Sequence, residues 1–130
     1  MGRGDWLDKF IMKIALIIPL EPGATGGRFL TSYLRAKGHD ARLIFIPDLI
    51  PELEGMRYAS NVRYECSQKL RDILLGLTQD CDLIGFSLLA AFHEAVSQLS
   101  AHLRIETEKP VIWGGVHPTM FYQECLKYCD

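Results

Sequence analysis

The chain has 130 residues, a net charge of -2, 48% hydrophobic residues and 23% charged ones, the balance of a single soluble globular domain. A domain of this length buries roughly 70% of its unfolded surface and needs no staples. No basic face stands out, which argues against nucleic acid, and no apolar run is long enough to cross a bilayer.

The first strong strand signal begins at Met12, so residues 1–11 read as an appendage. They are a native extension, a mis-assigned start or an artificial addition, and the sequence does not separate these. MGRGDWLDKF lacks the continuous apolar core of a signal peptide. The cysteines Cys66, Cys81, Cys125 and Cys129 are then expected as reduced thiols in the cytoplasm.

Lys13 to Ile18 reads KIALII, the near-continuous apolar run of a strand covered on both faces, and it ends at Pro19. A Gly-rich loop follows to Gly27. Phe29, Leu30, Tyr33 and Leu34 form a helical apolar stripe that stops at Gly38. Ala41 to Ile46 is a second strand, closed by Pro47. Residues 47–65 read as a long irregular loop. Leu70, Ile73, Leu74 and Leu77 mark a helix face, and Asp82 to Ser87 (DLIGFS) a third strand. Phe92, Val96, Leu99 and Leu103 mark the next helix, and Val111 to Trp113 the core of a fourth strand. Pro118 suits a first helical turn. Phe121, Cys125, Leu126 and Cys129 suggest a last helix.

Alternating strands and helices imply a parallel α/β sheet with right-handed crossovers. The expected fold is flavodoxin-like (Rossmann-like) and doubly wound, of order 2-1-3-4, with a fifth strand missing or truncated. A fragment of a longer protein is the favoured reading. The fourth strand is then an open edge, which invites self-association or cover by the N-terminal appendage.

Ligands of open α/β sheets bind at the carboxyl ends of the strands. Three loops converge there: PLEPGATGG from Pro19 to Gly27, SLLAAF from Ser87 to Phe92, and GGVHPT from Gly114 to Thr119. Gly114 and Gly115 lack Cβ atoms, so the chain can turn sharply or approach a ligand face. Glu21 and His117 are the only ionisable residues in these loops. Such an edge suits a large, mostly neutral ligand better than an acid–base centre.

The order of these features resembles the cobalamin-binding domain at the N-terminus of many radical SAM enzymes. The resemblance rests on Lys37-Gly38-His39, on DLIGFS from Asp82 to Ser87, and on PVIWGGVHPT from Pro110 to Thr119, and covers residues 12–130. It implies a corrin lying across the strand ends, with its nucleotide tail beside the third-strand serine and the double glycine. The residues it assigns to the cofactor are Glu21, Pro22, Gly23, Ala24 and Thr25 of the first loop. Ser87, Leu88 and Leu89 of the second follow, with Gly114, Gly115, Val116 and His117 of the third. Relatives with D-x-H-x-x-G in the first loop ligate cobalt through that His. This chain has no His before His39, so the implied cobalamin carries no first-loop ligand. The [4Fe-4S] cluster and S-adenosylmethionine of such enzymes belong to a later radical SAM domain acting in cis. Its C-x-x-x-C-x-x-C motif is absent here, and Cys125 and Cys129 share only its first spacing. They read as two small buried helix residues.

His93-Glu94 invites an H-E-x-x-H reading, but position 97 is serine. His39 and His102 read as exposed. His117 is expected either at the ligand or in a hydrogen bond that fixes the glycine turn. Rival readings are a flavodoxin-like FMN or phosphate binder using Gly23 to Gly27, and a non-catalytic interaction module. A phosphoacceptor receiver domain needs Asp where this chain has Ser87.

Overall fold

The computed structural model describes residues 10–19, 25–46, 66–88 and 93–130. Four strands form one parallel sheet of order β2-β1-β3-β4: β1 Lys13–Pro19, β2 Asp40–Ile46, β3 Leu83–Ser87 and β4 Val111–Gly114. The helices are α1 Thr25–Ala36, α2 Gln68–Thr78, α3 His93–Thr107, and the short turns α4 Val116–Met120 and α5 Tyr122–Cys125. This is the α/β, flavodoxin-like arrangement read from the sequence, with the chain reversing direction across the sheet between β1 and β3. The long loop expected over residues 47–65 lies outside the described residues.

The strands form on apolar runs, and β1, β2 and β4 stop at Pro19, Pro47 and Gly114. In β1 every residue after Lys13 is buried, as both faces of a covered parallel strand require. Gly38, at φ +94°, ends α1 in the left-handed region that glycine adopts freely. The N–H of His39 bonds Leu34 O and that of Gly38 bonds Arg35 O, the pair of bonds that closes a helix at a C′ glycine. Ser67 caps α2 by accepting from the Leu70 N–H at 3.2 Å.

The two sheet faces are filled very differently. In a parallel sheet, residues in register lie on one face. Ile17, Phe86 and Trp113 form one such row, and above it α3 sets Val96, Leu99 and Leu103, all fully buried, with Leu74 of α2. On the opposite face the row is Leu16, Gly85 and Ile112. Gly85 leaves its centre without a side chain, and Ile112 stays 42% exposed. Helix α1 covers only the β1–β2 side of that face. A Cβ on Gly27 would overlap Ile18 Cδ1, so α1 rests on β1 through a glycine. The buried residues of α1 are Gly27 and Thr31, while Phe29, Leu30 and Tyr33 are exposed. Its apolar stripe is real, yet Phe29 and Tyr33 face solvent and only Leu30 of the three lines the open part of the sheet.

A repeated aspartate device aligns the amino ends of the strands. The Asp82 N–H donates to Lys13 O at 2.7 Å and the Lys13 N–H donates to Asp82 Oδ2 at 2.8 Å. Asp130 makes the same pair with Val111, its N–H on Val111 O at 2.7 Å and its Oδ2 accepting from the Val111 N–H at 2.9 Å. Arg104 Nη2 adds an ion pair to Asp130 at 2.8 Å. The Val111 groups on the outer edge of β4 are thus held by Asp130. That part of the β4 edge is not left bare.

The expected last helix is two short turns broken at Phe121, whose φ of -126° and ψ of 42° are not helical. Cys125 and Cys129 are buried as expected, but Phe121 and Leu126 are exposed. Pro118 sits in the first turn of α4 and is buried. His39 and His102 are half-buried rather than exposed. His39 Nδ1 accepts from the Met12 N–H at 3.1 Å, tying the end of α1 to the start of β1.

Candidate functional site

The carboxyl ends of β1, β3 and β4 meet the start of α1 around a channel of about 300 Å3. Its sheet side is Leu16, Ile18, Gly85 and Ile112, and its helix side is Gly26, Gly27 and Leu30. Ser87, Gly114 and Gly115 close its outer end. Among the described residues, none that lines it carries an ionisable side chain.

Glycines give this channel its width. An ideal Cβ on Gly85 would stand 2.9 Å from Leu16 Cδ2 and 3.7 Å from Ile112 Cγ1, on the channel side of the sheet. Gly26 and Gly114 have open space where a Cβ would go, the nearest atom to Gly114's being Phe86 O at 4.0 Å. A side chain at Gly85 or Gly114, on the channel face of the sheet, would project into the space a ligand could take.

Register brings the second and third loops together. Ser87 pairs with Gly114 across β3 and β4, and the Leu88 N–H donates to Gly114 O at 3.0 Å. Gly115 then turns at φ +104°. A Cβ there would lie 2.9 Å from Leu88 O and 3.1 Å from Leu88 N. The second glycine is therefore required by the backbone itself, and the first is free to serve the channel. Ser87 is exposed at the strand end. Ser87 lines the channel at its outer end.

Of the residues singled out from the sequence, the structure groups Ser87, Leu88, Gly114 and Gly115. Thr25 starts α1 at the same edge and is exposed. Val116 follows Gly115 and is 60% exposed, while Leu88 is buried. Glu21, Pro22, Gly23, Ala24 and Leu89 lie outside the described residues. Residues the sequence reading missed are Leu16, Gly26, Leu30, Gly85 and Ile112. The signal for Gly85 was available: a glycine in the middle of an apolar strand marks a close approach.

His117 departs from expectation. Its ring turns away from the channel and packs against His93, centroids 5.0 Å apart, and against Phe121 at 5.2 Å. Both of its ring nitrogens are buried without a hydrogen-bond partner. It neither reaches the channel nor fixes the glycine turn, because α4 begins directly at Val116 and carries the ring to the α3 side of β4. Thr119 holds the turn instead, its Oγ1 donating to Gly115 O at 2.7 Å.

The four thiols are free and buried. Burial is the first cause that pushes each of them above the ordinary cysteine range, which makes them poor nucleophiles. The polar cluster of Arg42 with Asp80 and Asp40 lies at the opposite end of the sheet. There the Arg42 hydrogen bond holds the Asp80 carboxyl below its usual value. A broader hollow of about 560 Å3 lies over α4 and α5, lined by residues such as Met120, Tyr122 and Lys127. It contains none of the residues that the sequence assigns to a binding site.

No helix among the described residues is long and apolar enough to cross a membrane. Set beside known proteins, the chain matches no family model, no curated protein and no solved structure.

Proposed function

We propose that this edge is a cobalamin-binding site, with the nucleotide tail in the glycine-floored channel and the corrin across the strand ends. The observation that carries the reading is the channel itself. It opens beside Ser87 and Gly114, it is apolar, and Gly85 and Gly114 leave room where side chains would otherwise fill it. Its volume is at the low end for small-molecule sites, about 300–1,000 Å3, which suits an inserted tail and not a whole corrin.

The residues fit such a group in three ways. Gly85 and Gly114 admit a flat ring by removing side chains from the sheet wall. Leu30 and Ile112 supply apolar contact area that is now wet, and covering it favours binding. Ser87 offers a hydroxyl at the mouth for a polar group of the tail. When bound, such a cofactor would contribute an alkyl-carrying cobalt to a radical SAM domain elsewhere in a longer protein. The first loop offers that metal no imidazole, His39 is engaged at the other end of β1, and His117 packs against His93. Four free, buried thiols fit a reducing, cytoplasmic setting.

The test is retention. The purified chain mixed with hydroxocobalamin should carry it through gel filtration, with a spectrum free of histidine coordination. Retention of FMN in place of cobalamin would move the site to the flavin class, and retention of neither would remove the reading.

A further inference from the structure

On the α3 side of β4, away from the channel, three side chains from three helices converge. His93 opens α3, His117 lies in α4, and Cys125 closes α5. One donor atom of each lies within 4.8 Å of the other two. His93 Nε2 and both ring nitrogens of His117 are buried with no hydrogen-bond partner. Buried polar atoms are nearly always bonded, so three orphaned nitrogens in one place call for a ligand.

Their surroundings hold the rings still. His93 meets Trp113 and Tyr128 edge-on, at 5.7 and 5.3 Å between centroids, and Trp113 stacks on Tyr128. Trp113 Nε1 donates to Ser100 Oγ at 3.2 Å, and Ser100 Oγ donates to Tyr128 O at 2.7 Å. Phe121 backs His117. Cys129 Sγ donates to Cys125 O at 3.3 Å, which fixes the main chain that carries the third donor. The result is a partly buried group of two imidazoles and one thiol, with no carboxylate in the group among the described residues.

The geometry points to a zinc site built from His93, His117 and Cys125, with a fourth position open to an outside ligand. Two nitrogens and a thiolate suit zinc and its borderline-soft neighbours, and are wrong for magnesium or calcium, which take oxygen. Zinc bonds of about 2.0–2.3 Å put donors roughly 3.5 Å apart in a tetrahedron, so the widest pairs must close by about 1 Å. His117 and Cys125 sit on short turns that can make that adjustment toward His93. Binding releases the thiol proton and joins α4 and α5 to α3, so the ion stabilises the C-terminal segment. This site shares no donor with the channel and stands or falls separately from cobalamin binding.

The test uses the whole chain, reduced and stripped with a chelator. Zinc titrated against a chromogenic chelator should load one equivalent and raise Tm. Cobalt(II) as the spectroscopic stand-in should give intense tetrahedral visible bands and a near-ultraviolet thiolate-to-metal band. Cys125→Ser should abolish the thiolate band, and His93→Gln should weaken zinc binding by about tenfold or more. Cys66→Ser, a change outside the cluster, should alter neither. The inference is overturned if the wild-type chain takes up no stoichiometric zinc, a result independent of how any variant folds. It is equally overturned if the thiolate band survives Cys125→Ser.

Discussion

The two faces of this sheet are made from the same strands and have opposite fates. On the α2–α3 face, Ile84, Val111, Val96, Leu99 and Leu103 are completely buried. On the α1 face, Gly85 sits between Leu16 and Ile112, and α1 turns Phe29 and Tyr33 outward, 75% and 53% exposed. One face is packed to hold the fold together. The other keeps a channel at its ligand-binding edge, and its apolar surface is worth little to stability until something covers it.

The sharpest way to break that comparison is to truncate one residue on each face. Leu99→Ala should cost about 2–5 kcal/mol, the usual range for a buried leucine. Ile112→Ala, half-open to water, should cost less than about 1 kcal/mol. Urea denaturation of both variants measures this, and equal losses would mean that the α1 face is as closed as the other.

Next in size is the contrast within the double glycine. Gly115→Ala forces a Cβ onto Leu88 O at positive φ, a strain of about 1–3 kcal/mol. Gly114→Ala meets open space and should stay within about 0.5 kcal/mol of wild type. A bulky residue at Gly115 would therefore disturb the fold itself, and Gly114 is the position at which to block the channel cleanly. Thermal melts of the two alanine variants should separate clearly, and coincident melts would contradict the assignment of roles.

The smallest effect concerns the aspartate that secures the β4 edge. The Val111 N–H, and after it Arg104, hold the Asp130 carboxyl below its usual value. A depressed carboxylate contributes stability that is present above its unfolded pKa of about 3.9 and is lost as pH falls through the folded value. Asp130→Asn keeps an acceptor for Val111 but removes the charge. Its Tm should lie slightly below wild type near neutral pH and converge with it under acid. A gap that persisted unchanged at low pH would assign the effect to something other than this charge.

Much of the fold was legible because each strand centres on an apolar run, three of the four stop at Pro or Gly, and parallel crossovers leave few topologies. The adjacency of Ser87 and Gly114 followed from that order. The direction of the α1 stripe did not follow, because helical periodicity marks an apolar face without saying which neighbour meets it. Gly27, which a hydrophobicity pattern passes over, decides how α1 seats on β1. The His93–His117–Cys125 cluster escaped a search for H-E-x-x-H because its members lie on three helices. It had a topological signal all the same: successive crossovers bring the starts of α3 and α4 to the same sheet edge, and each carries a histidine. The aspartate device was hidden too, since Asp82 and Lys13 are 69 residues apart in sequence.

The central claim is that the α1-face channel is kept open for a cofactor tail, and equilibrium binding of hydroxocobalamin to the wild type and to Gly114→Leu tests it most directly. The account expects wild-type retention and a loss of about tenfold or more in the variant, as expected when a buried ligand group is displaced, with both proteins showing the same circular dichroism. Equal retention by the two proteins, or none by the wild type, would contradict it.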